Sequence, residues 1–114
     1  MLDDVAVPRL NVLSTEFTPM PGFGGSQAVL YHSLDRTRLA GTFRESGSHT
    51  LTMEYDEFIY IVTGHMVVTI RGGDRHELAA GDACYLRQGM TVDFEMSEDF
   101  QDVAVLVSNN PIAY

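Results

Sequence analysis

Apolar and polar residues alternate along most of this chain, and wherever a pattern exists its period is two. Successive strand side chains point to opposite faces, so this period marks half-buried strands; helical spacing is nearly absent. Runs rich in Val, Ile, Tyr, Phe and Thr stand at QAVLYHS, RLAGTFR, TLTMEY, FIYIVT, MVVTI, ACYLR, TVDFEM and DVAVLV. The turn clusters RESGS, RGGD, AAGD and RQG separate them. About eight short strands at this spacing predict an all-β sandwich or barrel.

The first 25 residues break the pattern, because Pro8, Pro19, Pro21 and the PGFGG stretch exclude a long regular element. Residues 1–25 are therefore expected to form an N-terminal arm. It would lie across the barrel or a partner subunit and cover an edge strand otherwise open to pairing, with one domain over 26–114. PGFGG is not a phosphate-cradling loop, since that mechanism needs a helix immediately after it and SQAVLYHS alternates like a strand.

Alternation also sorts faces. In TVDFEM, Val92, Phe94 and Met96 share an apolar face opposite Thr91, Asp93 and Glu95. In the segment before FIYIVT, Thr50, Thr52 and Glu54 oppose Leu51, Met53 and Tyr55.

Composition narrows the class. A length of 114 residues suits one domain, and 45% hydrophobic content is that of a globular protein. No apolar run approaches the roughly 20 residues needed to cross a bilayer, so a soluble chain without a membrane partner is expected. MLDDVAVPRL carries two acids where a secretory signal carries positive charge, and Cys84 as the single cysteine forms no internal disulfide. Both features predict a cytoplasmic location. The net charge of -9, with all seven basic residues arginine and scattered, repels phosphate backbones and argues against nucleic acid. The absence of lysine excludes Schiff-base catalysis through a lysine amine.

Two segments together resemble the paired signatures of the cupin superfamily. The first signature, G-x5-H-x-H-x3,4-E-x6-G, keeps its end here as Glu57, the six residues FIYIVT and Gly64. The second, G-x5-P-x-G-x2-H-x3-N, is matched by Gly81, with Asp82 beside it, and by Gly89, while Arg87 replaces the proline. Between them HMVVTIRGGDRHELAA has the expected strand, turn and strand, and Gly72-Gly73-Asp74 suit a tight connection.

The resemblance spans about residues 37–108, counted by motif spacing. Within the superfamily, GTFRESGSHTLTMEYDEFIYIVTG is most similar to the group related to ethanolamine-utilisation cupins and (S)-ureidoglycine aminohydrolase. The resemblance implies an all-β, single-domain cupin, a jelly-roll β-barrel. It also implies a homodimer that uses the arm and an outer sheet face, and a small-ligand site at the barrel mouth.

The departures bear on chemistry. Metal-dependent members of the superfamily use two histidines and a glutamate from the first motif and one histidine from the second. Counting back from Glu57, the first-motif histidine slots fall on Thr50 and Thr52, or on Leu51 and Met53 in the shorter spacing; the second-motif slot falls on Val92. A transition metal needs about three or four protein ligands, and one glutamate with two threonine hydroxyls is a poor set. No cofactor is expected. The alternative is a divalent metal on Glu57 and His49, with a one-residue bulge sliding His49 into a slot.

Glu57 stands in MEYDEF, whose acids by composition alone suit a solvated turn. The family slot instead implies a cavity-facing glutamate. Desolvation would raise its pKa and make it a candidate acid/base. A structural alternative pairs it with Arg44 or a tyrosine hydroxyl. The pocket expected around Glu57 comprises Thr50, Thr52, Arg44, Tyr60, Tyr85 and Val92. Arg44 and the two tyrosines each also have a bland reading, as a solvated charge and as packing rings. Cys84 reads as a buried inert thiol, and His32, His65 and His76 are not spaced as a ligand pair.

The leading expectation is a cupin with a metal-poor cavity that binds a small polar metabolite. Glu57 would move a proton in an isomerisation, elimination or amine release, with Thr50 and Thr52 positioning the substrate. The alternatives are a non-catalytic binding or accessory protein and a metal-dependent enzyme with rearranged ligands. The residues leave open whether the chain is an enzyme and what its substrate is.

Overall fold

A computed structural model describes residues 6–20 and 24–113 of the chain. Residues 1–5, Pro21, Gly22 and Phe23 of the PGFGG stretch, and Tyr114 lie outside the described residues.

Ten strands follow in chain order: β1 (Thr18–Pro19), β2 (Ser26–His32), β3 (Arg38–Arg44), β4 (Gly47–Thr52), β5 (Asp56–Thr63), β6 (His65–Ile70), β7 (Arg75–Ala79), β8 (Ala83–Leu86), β9 (Thr91–Met96) and β10 (Gln101–Val107). They form a six-stranded sheet ordered β1-β2-β3-β10-β5-β8 and a four-stranded sheet ordered β4-β9-β6-β7. The chain changes sheet between β5 and β6 at Gly64, whose φ of +76° is the left-handed conformation that glycine tolerates. A Cβ at this position would stand 2.5 Å from Ser97 Oγ and 2.9 Å from the Phe100 backbone, so the turn also needs the missing side chain.

The two sheets bury their facing sides against each other. Leu39 and Phe43 of β3, Ile59 and Ile61 of β5, and Ala104 and Leu106 of β10 meet Met66 and Val68 of β6 and Val92 and Phe94 of β9. Burial of each large side chain stabilises the fold by roughly 1.5–3 kcal/mol. This is the expected jelly roll, with its core and any internal cavity between the layers. Among the described residues no helix is long and apolar enough to cross a membrane.

The described part of the N-terminal segment lies along the six-stranded sheet. β1 pairs with β2 through Thr18 opposite Gln27 and Pro19 opposite Ser26, covering that edge. Gln101 Nε2 donates to the Val12 carbonyl at 3.0 Å and to Thr42 Oγ1 at 2.9 Å, and Thr42 Oγ1 donates to the Asp102 carbonyl at 2.7 Å. This network accounts for the full burial of Thr42 on an outward strand position.

The two outer faces differ in chemistry. Across the six-stranded sheet, Tyr31, Ala40, Val105, Phe58 and Tyr85 stand opposite one another in a single cross-strand row. The four-stranded sheet instead presents Thr50 bonded to Asp93, Thr52 bonded to Thr91, and the ion pair Arg75–Glu77.

Candidate functional site

Strand phase carries Glu57 inward. It shares the face of β5 with Ile59 and Ile61, which are 2% and 1% exposed, while Phe58 and Tyr60 face out. Between the sheets this face meets a cavity of about 80 Å3. Phe43, Leu51, Ile59, Met66, Phe94, Met96 and Leu106 supply its apolar wall, and Glu45, His49, Tyr55, Glu57 and Asp102 its polar groups.

Three carboxyl groups in one poorly hydrated space repel one another and resist ionisation. Burial, with the nearby Glu45 adding to it, raises Glu57 from the usual 4.5 to about 8. Burial also raises Glu45, against the opposing attraction of His49. Asp102 is held well above the usual carboxylate range by burial first, then by Glu57 and Glu45, with the Phe43 backbone amide opposing. Tyr55 is pushed above its usual range by burial and by Glu57, so its hydroxyl stays protonated. Cys84 is raised to about 11 by burial, then by Glu57 and Asp102. Asp102 is 3% exposed, and its Oδ1 has no hydrogen-bond partner. His49 Nε2 lies 2.9 Å from the Ser46 carbonyl, which can only accept, so Nε2 carries the hydrogen.

Several expected pocket residues stand elsewhere. Thr50 and Thr52 are exposed on the outer face of β4, where Thr50 Oγ1 donates to Asp93 Oδ1 at 2.6 Å and Thr52 Oγ1 meets Thr91 Oγ1 at 2.9 Å. The inward positions are His49, which stands opposite Phe94, and Leu51, which stands opposite Val92. The correction follows from the shorter motif spacing, which puts odd-numbered residues of β4 inside; the cavity wall there is therefore not hydroxyl-lined. His49 reaches the cavity by this ordinary phase, with no bulge between β4 and β9.

Arg44 also faces out, its guanidinium 3.8 Å from the centroid of the Phe17 ring, in a cation–π contact with the arm. It does not line the cavity and is not Glu57's partner. Tyr60 is 42% and Tyr85 54% exposed on the outer face, and the Tyr85 hydroxyl donates to Asp56 Oδ2 at 2.7 Å. Val92 points inward as its phase requires, but at 0% exposure it packs in the core and does not line the cavity.

The fold family implies a possible metal, and a transition-metal centre needs about three or four converging protein ligands. His49, Glu45, Glu57 and Asp102 all line the cavity, yet among the described residues no three His, Cys, Asp or Glu side chains converge as a metal-holding group. The described residues do not fit a transition-metal centre.

Glu45, Tyr55 and Asp102 are cavity residues that the motif comparison passes over. For two of them the alternation gives a phase but not a side, which the structure supplies. Asp102 falls in phase with Ala104 and Leu106 in DVAVLV, and Glu45 with Phe43 in RLAGTFRE. An acid in phase with buried apolar residues is a candidate for the interior.

A family model for the EutQ-like cupin domain matches residues 33–102. Among solved structures, the fold is similar to EutQ, a protein assigned to ethanolamine utilization, from Salmonella typhimurium LT2, with TM-score 0.68 and 20% identity over 82% of this chain and 80% of that one. It is similar to EutQ of Clostridium difficile, with TM-score 0.63 and 18% identity over 94% and 83%. KdgF from Halomonas sp. gives TM-score 0.65 and 16% identity over 84% and 90%. At these identities the likeness is one of fold. No curated protein matches the sequence. The family match covers more than half of the chain and runs from β3 through β9, across both facing sheets, so this protein is a jelly-roll barrel that belongs to the EutQ-like cupin domain family.

Proposed function

We propose that the barrel binds a small polar metabolite and that Glu57 exchanges a proton with it. The observation that supports this reading is a carboxyl group inside the cavity, raised to about 8 by burial and by Glu45. Acid–base catalysis is most effective when the group's pKa lies near the working pH. At neutral pH Glu57 is mainly protonated and can donate to a leaving group; its ionised fraction can remove a proton from the next substrate. Isomerisation, elimination and release of an amine suit such a group. Tyr55, protonated throughout, is available as a hydrogen-bond donor beside it.

Glu57→Gln distinguishes catalysis from simple retention of a ligand, the alternative in which the chain is a binding or accessory protein. The glutamine keeps the size and polarity of the protonated side chain but cannot exchange its proton. Lost turnover with retained affinity is expected. Equal turnover in both proteins would leave the binding role alone.

We further propose that the protein works in the cytoplasm as a homodimer joined through the outer face of the six-stranded sheet. Phe58, Tyr60, Tyr85, Val105 and Val107 are between 37% and 54% exposed there, a concentration that the opposite outer face lacks. A stable interface needs about 800 Å2 from each partner. Val105→Arg should convert a dimer to a monomer in sedimentation velocity without unfolding it. A wild-type monomer at all concentrations would refute this assembly.

A further inference from the structure

The cavity contains three carboxyl groups and one imidazole, and neither arginine nor lysine lines it. Among the lining residues only His49 offsets the acids, and it does so at Glu45. Asp102 is the most informative of the three acids. It lies opposite Phe43 in the β3–β10 register, where the Phe43 backbone amide favours its charged form. Oδ1 nevertheless has no partner, although the residue is 3% exposed. Asp102 shares the inward face of β10 with Ala104 and Leu106 and lines the cavity, so a donor held there is placed to approach its carboxyl group. Buried acceptors are almost always satisfied.

A neutral donor would satisfy the oxygen only. A positively charged donor would also relieve the repulsion that Glu57 and Glu45 exert on Asp102. Phe43 and Phe94 bring aromatic rings to the wall, and Ile59, Met66 and Leu106 suit a short hydrocarbon portion. At about 80 Å3 the space is smaller than the roughly 150 Å3 cavity that admits benzene, so its occupant has few heavy atoms.

We propose that this cavity recognises a compact organic monocation, a primary ammonium or amidinium, whose N–H groups bond Asp102 Oδ1. The inference rests on the cavity being a ligand site, as argued above, and adds the charge of the ligand and the residue that selects it. Asp102 makes the ionic contact, while Glu57, mainly protonated at neutral pH, remains available for transfer. Burial and the neighbouring acids favour the protonated form of Asp102, so a cation that pairs with its carboxylate favours proton release and binds more tightly as pH rises. The titratable groups that face or flank this event are Glu45 after β3, His49 of β4, Tyr55 and Glu57 at β5, and Cys84 of β8.

Acetamidinium, acetamide and acetate form a near-isosteric series of positive, neutral and negative charge. Each is titrated into the intact protein and followed by the methyl NMR signals of Ile59, Met66 and Leu106. Acetamidinium is expected to bind roughly tenfold or more tightly than acetamide, with acetate weaker still. Its affinity should increase from pH 6 to pH 9, and calorimetry in buffers of different ionisation enthalpy should detect the released proton. At pH 7, where Glu57 is mainly protonated, Asp102→Asn should lose about tenfold in acetamidinium affinity, whereas Glu57→Gln should retain most of it. Should Asp102→Asn fail to fold, the charge series and pH dependence of the wild type decide the matter without it. Acetamide or acetate binding as tightly as acetamidinium overturns the cation assignment but leaves a ligand cavity. Failure of all three to shift the cavity methyls overturns the inference, and the Glu57 reading is then judged by its own turnover test.

Discussion

Glu57→Gln preserves the shape of the side chain and removes its titration, and the consequence for stability can be worked from the fold. In the unfolded chain the carboxyl loses its proton near 4.5; in the folded chain burial and Glu45 delay the loss to about 8. Below 4.5 both states are protonated, and Glu57 has no effect on the pH dependence. Between these values the unfolded state ionises first, so stability falls as pH rises. Above about 8 both states are ionised and the penalty is constant. At about 1.4 kcal/mol per pH unit, the penalty reaches about 3 kcal/mol at pH 7 and about 5 kcal/mol at pH 9.

Asp102 and Glu45 are raised too and contribute with the same sign, so the wild-type slope is steeper than Glu57 alone would make it. The difference between wild type and Glu57→Gln isolates the Glu57 share. Urea unfolding from pH 5 to pH 9 should give curves that nearly coincide at pH 5, with the glutamine variant more stable by about 3–5 kcal/mol at pH 9. Parallel curves across that range would mean that the carboxyl is hydrated or hydrogen-bonded in its charged form, and the electrostatic account of the cavity would be wrong.

Gly64→Ala combines a left-handed backbone with a Cβ driven toward Ser97, Asp99 and Phe100, so a loss of about 2–4 kcal/mol in urea unfolding is expected; a change under about 0.5 kcal/mol would contradict it. Cys84, raised to about 11 from the usual 9.0, should react with a disulfide reagent at pH 8 about a hundredfold more slowly in the folded than in the unfolded chain, and comparable rates would refute its burial beside the acids. Thr50→Val removes one hydrogen bond on the exposed face; it should cost less than about 1 kcal/mol and leave acetamidinium binding unchanged, whereas weakened binding would return Thr50 to the site.

Much of the fold is legible in local patterns. Strand period, glycine turns and proline spacing are properties of neighbouring residues, and they outline the strands and the segment that covers β2. The spacing from Glu57 to Gly64 likewise identifies Glu57 before any packing is known. The faces of β4 are harder, because Met53–Tyr55 intervenes between β4 and β5 and breaks the phase that Glu57 could otherwise transmit. Counting across that turn gives Thr50 and Thr52 or Leu51 and Met53; only the pairing of His49 with Phe94 and Leu51 with Val92 selects the second phase.

The carboxyl groups illustrate the same boundary. In β10, Asp102, Ala104 and Leu106 alternate with Val103, Val105 and Val107, and both series are largely apolar. In β5, Glu57, Ile59 and Ile61 alternate with Phe58, Tyr60 and Val62 in the same way. Period two establishes that such segments are strands but cannot say which side faces the other sheet, since either would bury apolar surface. That choice belongs to the sandwich as a whole, and it brings Glu57 of β5, Asp102 of β10 and Glu45 of the β3–β4 connection into one buried space. Local chemistry determines the strands; long-range packing determines that their acids share a cavity.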